Sequence, residues 1–253
     1  MKHFGTLLSH EIRMLLVSPA TYFAATLFLG FMGLVFSKIL DSYSGAAQDT
    51  SPAFVFFNLF WLPVCMMVPL LTMKCLAEER RLGTIETLLT TPVTTTEVVL
   101  GKFGAAYILY LALWASTGGF FYILHKFSAD PRLLDPGPMI GGYTFVAVGG
   151  LFFVALGVFA SSLTRNQSVA AILSGAMLAG LILGSHFLAD SAWLQQDVFA
   201  PAKKAIDYAD VFTHRDDFTR GIVDTRQVLF YLSGTVVTLI FSILGVEAKL
   251  LHS

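Results

Sequence analysis

The sequence predicts an all-α membrane protein with six transmembrane helices, an amphipathic N-terminal helix and a short cytoplasmic helix between spans two and three. Only 13% of the 253 residues are charged, whereas soluble domains carry about 25%. The mean hydropathy is +0.71, and six apolar runs are long enough to cross a bilayer. These observations exclude a soluble domain. The net charge of −1 gives no reason to expect a nucleic-acid partner.

The six apolar runs carry no charge in their central parts. They are Thr21–Leu40, Pro52–Leu76, Val98–Leu124, Met139–Leu163, Ser168–Leu188 and Val228–Lys249. Lys38, Lys102 and Lys249 lie near span ends, where we expect their long side chains to reach the interface. Pro63 and Pro69 should kink span two, because proline removes a helix hydrogen bond and clashes with the preceding turn. Residues 1–253 are expected to form a single transmembrane domain.

Basic residues indicate the orientation, because they are enriched in short cytoplasmic loops. Six spans place both termini on one side. The basic residues divide equally between the two sides, but five of the outer ones lie in the long loop 189–226. Without that loop the inner side keeps Lys2, Arg13, Lys74, Arg80, Arg81, Lys102, Arg165 and Lys249, and the outer side keeps Lys38, Lys126 and Arg132. We therefore predict a multi-pass protein of the cell (inner) membrane with both termini in the cytoplasm.

Two kinds of local signal define the helix ends. Residues 1–18 are amphipathic, which is typical of a helix lying in the interface plane. Their apolar face consists of Phe4, Leu7, Leu8, Ile12, Leu15 and Leu16, and the polar face carries mainly Lys2, His10, Glu11 and Arg13. The run from Thr94 to Glu97 fits a capping box at the start of span three, and Asp224 to Gln227 has the same spacing before span six.

Small residues recur at helical spacing in two spans. Span five carries Ala176, Gly180 and Gly184, and span four carries Gly149, Gly150 and Gly157. Such faces let helices approach closely. Packing within the bundle explains them most simply, and a dimer interface formed by span five is the alternative.

The polar segment 77–96 separates spans two and three and is the main charged surface at the cytoplasmic side. Gly83 breaks the preceding run, and Thr84 can cap a short helix that ends at Leu89. Glu86 stands in its first turn, where the helix dipole favours an acid. Ile85, Leu88 and Leu89 share one apolar face. This face either lies on the membrane or inserts into a groove of a partner protein.

The same segment resembles the signature of type-2 ABC exporter permeases. The matching residues are Glu78-Glu79-Arg80, Gly83-Thr84, Glu86, Leu88-Leu89, Pro92-Val93, Glu97 and Gly101-Lys102. The order of elements also matches over essentially the whole chain: an N-terminal elbow helix, two spans, a cytoplasmic element and four more spans. In that family the element is a coupling helix that docks on an ATP-hydrolysing subunit.

The resemblance implies the partners of the chain. ATPase docking would involve Glu78, Glu79, Arg80, Arg81, Gly83, Thr84, Ile85, Glu86, Leu88 and Leu89. Two such permeases, identical or paralogous, would work with two ATPases. ATP and Mg²⁺ would be bound by the ATPases, and no cofactor by this chain. The transported substrate would be lipid-like or amphipathic.

The outer loop 189–226 resembles permeases linked to gliding motility and to nitrous-oxide-reductase maturation. The residues that carry this resemblance, and that we take as candidates for periplasmic contacts, are Asp216, Asp217, Arg220, Asp224 and Arg226. This resemblance supports an alternative function, in which the chain is a mechanical or scaffold subunit that transmits ATPase-driven motion to periplasmic partners. In related exporters this region forms short helices that partly re-enter the outer leaflet.

The sequence lacks the residues that other classes of function require. No Gly-x-x-x-x-Gly-Lys-Ser/Thr motif is present, so a separate subunit must supply ATP hydrolysis. An ion-driven carrier would place ionisable groups at mid-membrane, and none is found there. An intramembrane enzyme needs a nucleophile and a base at one depth, and the span serines have no such partner. His125, His186 and His214 lie near the outer face, but we predict no metal site.

Overall fold

The computed structural model describes residues 4–45, 50–83, 94–127, 135–189 and 200–250, and within these ranges all regular elements are helical. The helices are α1 (Phe4–Val17), α2 (Pro19–Gly45), α3 (Pro52–Asn58), α4 (Trp61–Thr72), α5 (Ala77–Leu82), α6 (Thr95–Ser116), α7 (Gly118–Phe127), α8 (Pro136–Leu163), α9 (Gln167–Ala179), a π-helical turn (Gly180–Gly184), α10 (Ser185–Ala189), α11 (Ala200–Tyr208), α12 (Val211–Thr219) and α13 (Thr225–Leu250). The expected short helix from Thr84 to Leu89 lies outside the described residues.

Six helical stretches are long and apolar enough to cross a membrane, which confirms the all-α class and the six predicted spans. They are Pro19–Tyr43, Trp61–Leu82, Thr95–Phe127, Pro136–Leu163, Gln167–Leu188 and Thr225–Ala248. Span two differs from the prediction, because it begins at Trp61 rather than Pro52 and continues through α5. The helix breaks between α3 and α4 at Leu59, four residues before Pro63, whose missing N–H and bulky ring oppose a continuous helix there. Pro69 lies inside α4.

The fourth span, α8, forms the centre of the bundle. It packs against α13, α9, α6, α12 and α4, and 61% of its apolar window is buried, compared with 28% for spans five and six. Gly150 and Gly157 allow this contact, because an added Cβ would overlap Tyr110 and Thr72 respectively. The predicted close approach through the span-four glycines is therefore present.

Aromatic side chains fill the core around α8. Trp114 packs edge-to-face on Phe28 with ring centroids 5.0 Å apart, and Phe60 packs on Phe145 at the same distance. Edge-to-face pairs add about 0.5–1.5 kcal/mol each beyond their buried area. The first contact joins α6 to α2, and the second joins the start of α4 to α8.

The small-residue face of span five points away from this core. Ala176 and Gly180 are exposed, and a Cβ added to Gly180 or Gly184 would meet no atom within 4 Å. Nothing in the described part of the chain packs against this face, in contrast to the glycines of span four. Its assignment to a dimer interface stays a prediction.

Candidate functional site

The N-terminal helix α1 is docked on span three rather than lying apart from the bundle. Its Leu7 packs over Gly101, where an added Cβ would lie 3.0 Å from Leu7 Cδ2, and Leu8 packs over Gly104 in the same way. Because both glycines lack a side chain, α1 can approach the backbone of α6 closely. This contact defines what we call the α1 end of the bundle, where α1, α5, the start of α6 and the end of α8 meet.

A buried ion cluster joins three elements at the α1 end. Lys102 Nζ of α6 lies 2.7 Å from Glu79 Oε1 of α5 and 3.0 Å from Glu11 Oε1 of α1. The three side chains are 6%, 18% and 14% exposed, respectively. Lys102 therefore does not extend to the interface as the sequence suggested, because two carboxylates hold it inside. Likewise Glu11 faces the bundle rather than the outer polar face of α1.

The cluster makes the three elements depend on one another. A buried lysine without a counter-charge is costly, and breaking such a pair by removing one partner typically costs about 3–5 kcal/mol. Lys102 can donate up to three hydrogen bonds, and here it donates to two carboxylates. A displacement of α5 must therefore either move α1 and α6 with it or separate these charges.

Span four holds α5 from the other side. Ser161 Oγ accepts hydrogen bonds from the backbone N–H groups of Leu76 and Ala77, each at 3.0 Å, which satisfies donors at the start of α5 that have no partner within the helix. Arg80 Nη1 donates to the carbonyl oxygen of Ser162. The end of α8 is thus fastened to the start and the middle of α5.

The docking residues proposed from the sequence divide into three groups. Glu79 and Arg80 point inward to Lys102 and Ser162. Glu78 and Arg81 form a weak pair at 3.9 Å with more exposed side chains, and Gly83 ends the helix in the left-handed region with φ 69°. Thr84, Ile85, Glu86, Leu88 and Leu89 lie outside the described residues, so their docking role stays a prediction.

The chain after this segment begins span three with the predicted capping box. Thr94 Oγ1 accepts from the N–H of Glu97, and the Glu97 carboxylate accepts from the N–H of Thr94, both at 3.3 Å. The reciprocal bonds fix where α6 starts, which places Lys102 at the beginning of its third turn, beside Glu79 and Glu11.

Comparison with known protein families decides the class of this bundle. Residues 6–246 match the model of the ABC-2 family transporter proteins. The chain belongs to the ABC-2 transporter family. No curated protein matched it. The match extends from α1 into span six and so includes the ion cluster.

Family membership makes this ABC-2 protein a multi-pass membrane subunit of an ABC transporter rather than an enzyme of its own. It also implies an ABC ATPase as partner. The match does not distinguish subfamilies, so the resemblance to permeases of gliding motility and nitrous-oxide-reductase maturation stays a prediction.

At the opposite end of the ABC-2 bundle, α12 packs into the helices instead of extending from them. Val211, His214, Arg215 and Phe218 are buried, and α12 contacts α8 and α3. The guanidinium carbon of Arg215 lies 5.6 Å from the centre of the Phe54 ring, which is a cation–π distance.

Three of the five candidate outer-loop residues make contacts through their side chains in the described structure. Asp217 Oδ2 accepts from Gln227 Nε2 at 2.6 Å, and Asp216 pairs with Arg215 at 2.9 Å. Asp224 Oδ1 accepts from the N–H of Arg226 and caps α13. The predicted capping box is therefore incomplete, because Gln227 binds Asp217 and its Oε1 has no hydrogen-bond partner in the described structure. Arg220 and Arg226 are exposed.

The histidines of this end are held by neighbours of different kinds. His214 is 3% exposed, and its Nδ1 lies 3.1 Å from Tyr231 Oη. Burial lowers the pKa of His214 from its usual 6.5, against the opposing effect of Asp210 and Asp217. His186 Nδ1 lies 3.6 Å from Asp210 Oδ2. Among the described residues no three metal-ligating side chains come together.

Sequence reasoning missed the ion cluster of the ABC-2 chain although its signal was present. Lys102 follows the cap of span three by only a few residues and is surrounded by apolar and small side chains, so it needs a counter-charge. Glu11 is an acid within the amphipathic N-terminal helix, and Glu79 follows the apolar run that predicts span two. Only the crossing of α1 over α6 shows that these two acids share one lysine.

Proposed function

We propose that this chain is the permease subunit of an ABC exporter, in which a separate ATPase drives the export of a lipid-like or amphipathic substrate. The observation that carries the proposal is the Lys102 cluster in a chain of the ABC-2 family. The cluster connects the segment that precedes the coupling residues to the interfacial helix and to span three.

In this proposal ATP does not bind the permease chain itself. ATP and Mg²⁺ bind the partner ATPases, whose closure displaces the segment that follows Gly83. Because α5 is fastened to Lys102 on one side and to Ser161 on the other, the displacement passes to α1, α6 and α8 together. Lys102 and Ser161 are thus positioning residues of the coupling step.

The surface of the spans supports an amphipathic substrate. The charged side chains of the six spans are Lys38, Asp41, Lys74, Glu78 to Arg81, Glu97, Lys102, Lys126, Arg226 and Glu247, and apart from Lys74 they lie toward the helix ends. A small hydrophilic ion would need polar groups at mid-membrane. A substrate that keeps its apolar part in lipid does not need them.

The small-residue face of span five supports assembly as a dimer. Ala176 and Gly180 are exposed on a membrane helix, and small residues at this spacing allow close helix packing. In the proposed arrangement two subunits meet there, in the inner membrane and with all termini in the cytoplasm. Gly180→Trp should lower the dimer fraction in detergent, whereas Leu229→Trp, at a position 63% exposed on span six, should not.

The docking of the ATPase is tested with the double variant Leu88→Asp/Leu89→Asp. It should abolish co-purification of the ATPase and stimulation of its activity while the spans stay folded. The matched control is Ile222→Asp/Val223→Asp, which adds two charges at exposed residues next to α12. Retained, stimulated ATPase in the first variant would show that these leucines do not dock it.

The second candidate is mechanical transmission to a periplasmic partner. It is favoured by the tight packing of α12 on span four, since a movement of α8 would carry Arg220 and the exposed residues beside it. Proteoliposomes with the ATPase distinguish the two functions. ATP-dependent movement of an amphipathic substrate supports export, and ATP hydrolysis without any movement supports mechanical transmission.

A further inference from the structure

A groove of about 380 Å³ opens on the side of the bundle, between the second half of α2 and the short helix α3. Its volume lies within the range of about 300–1,000 Å³ that is usual for small-molecule sites. It lies toward the end of span one that is remote from α1, so it is separate from the ion cluster of Lys102. Leu34 and Leu59 line it and are 69% and 36% exposed, so the groove faces the surroundings of the bundle.

The shape of the groove follows from helix geometry. Residues four apart stack above one another along one side of a helix. The α2 side of the groove consists of two neighbouring rows of this kind, which are Leu34-Lys38-Ser42 and Val35-Ile39-Tyr43. The opposite side carries Val55 of α3 and Leu59, which directly follows that helix. The groove therefore extends along the axis of α2 over two turns, about 12 Å.

The groove changes from apolar to polar along this axis. Leu34 and Val35 stand at its beginning, and Ser42 and Tyr43 stand at its end, where span one also ends. Tyr43 Oη donates a hydrogen bond to the carbonyl oxygen of Thr50, which joins the end of α2 to the chain that leads into α3. An elongated ligand with an apolar tail and a polar head would match this order, with its head at the end of the span.

Lys38 is the charged residue that lines the groove. Its side chain is 84% exposed, and it lies five residues, about 7.5 Å, before the end of span one at Tyr43. A lysine at this depth extends its ammonium group to the headgroup region, because the charge is costly in hydrocarbon. Asp41 lies 3.8 Å from Lys38 Nζ, and such an exposed pair contributes little. The anionic group that a phospholipid offers at this level is its phosphate, a common partner of lysine.

We propose that this groove binds one phospholipid, with an acyl chain along the apolar part of the groove and the phosphate at Lys38 Nζ. The acyl chain would cover Leu34 and Leu59, and the lysine would donate hydrogen bonds to the phosphate oxygens. A diacylglycerol has the same acyl chains but offers no anion to Lys38. The bound lipid contacts α2 and α3 together and so stabilises their junction. The site does not depend on the exporter function.

The experiment uses the purified full chain in detergent and two lipids with equal acyl chains, dioctanoyl phosphatidylglycerol and dioctanoylglycerol. Binding is followed by native mass spectrometry and by the unfolding midpoint. The phospholipid should bind once per chain and raise the midpoint, with an affinity at least about tenfold higher than that of the diacylglycerol. Glycerol phosphate, which lacks acyl chains, should not bind measurably. Equal affinity of the two lipids, equal affinity of glycerol phosphate and the phospholipid, or no binding of the phospholipid overturns the proposal.

Two variants test the contact with the phosphate. Lys38→Gln/Asp41→Asn removes the ammonium group but keeps the net charge at this end of α2, and it should lower the phospholipid affinity about tenfold, to that of the diacylglycerol. The control Lys126→Gln, at an exposed lysine near the end of α7, should bind like the wild type. Wild-type affinity in the double variant overturns the role of Lys38.

Two tryptophan variants locate the acyl chain. Leu34→Trp should fill the groove and weaken binding of the phospholipid, whereas Leu40→Trp, also exposed on α2 but not lining the groove, should leave it unchanged. If Leu34→Trp does not fold, Leu59→Trp on the opposite side decides. If a second copy of the chain covers the groove instead, Leu34→Trp will lower the dimer fraction without changing lipid binding, and this result overturns the proposal. ATPase co-purification, measured on the same samples, reports on the proposed function separately.

Discussion

Lys102 Nζ lies 2.7 Å from Glu79 Oε1 although the two residues belong to different spans. The same nitrogen lies 3.0 Å from Glu11 Oε1 on the N-terminal helix. One lysine thus joins three elements at the α1 end of the bundle. The stability of this junction and its response to substitution follow from the contact.

Lys102→Met should destabilise the protein by about 3–5 kcal/mol, because it removes the buried ammonium group that the carboxylates of Glu11 and Glu79 share. The triple variant Glu11→Gln/Glu79→Gln/Lys102→Met should recover part of that loss, since no charge remains uncompensated. Denaturation in detergent micelles measures both. If Lys102→Met unfolds like the wild type, the cluster does not stabilise the junction.

Ser161→Ala should cost about 1–3 kcal/mol, because it leaves the buried N–H groups of Leu76 and Ala77 without their acceptor. The matched control is Ser233→Ala, at an exposed serine of span six, and it should stay close to the wild type. Hydrogen exchange of Leu76 and Ala77 should increase in Ser161→Ala alone. Equal protection in both variants would contradict this role for Ser161.

Gly157→Ala should destabilise the bundle by about 1–3 kcal/mol, because the added Cβ overlaps the side chain of Thr72. Gly30→Ala is the control, since a Cβ there meets no atom within 4 Å. Adding Thr72→Ala should restore part of the stability by removing overlapping atoms. Thermal unfolding that ranks Gly30→Ala as the more damaging change would refute the packing of α8 on α4.

The protein should lose stability as the pH falls below about 6.5, the usual pKa of histidine. Burial lowers the pKa of His214 in the folded state, so the unfolded chain binds a proton first as acid is added, and unfolding becomes easier. Above that pH both states are neutral at this residue and the effect vanishes.

Unfolding midpoints at pH 7.5 and 5.5 measure this effect. His214→Gln should show a smaller drop than the wild type, whereas His125→Gln, which alters a residue at the end of α7, should keep the full drop. A wild-type drop that His214→Gln does not reduce would assign the acid sensitivity to other groups.

The apolar periodicity and the capping residues were enough to predict much of the fold. Six apolar runs of about 20 residues or more predict membrane-spanning helices, because a helix satisfies its own backbone polar groups where lipid offers them no partner. The box at Thr94 is likewise a local signal, since both of its hydrogen bonds join residues three apart.

The predictions at Asp224 and span two were incomplete for a non-local reason. Gln227 has the sequence position of a capping residue, but it binds Asp217 of the neighbouring helix instead. Span two was predicted to start at Pro52, and Pro63 breaks the helix at Leu59. In both places a competing contact or a clash outweighs the local pattern.

The sequence by itself determined the membrane class, the number of spans and the polar segment that resembles a coupling element, because these depend on composition and on neighbouring residues. Only the tertiary structure decided that Glu11, Glu79 and Lys102 form one cluster and that Ser161 holds the start of α5. The physical reason is distance along the chain. Lys102 and Glu11 are 91 residues apart, and they meet because α1 crosses α6 at its glycines.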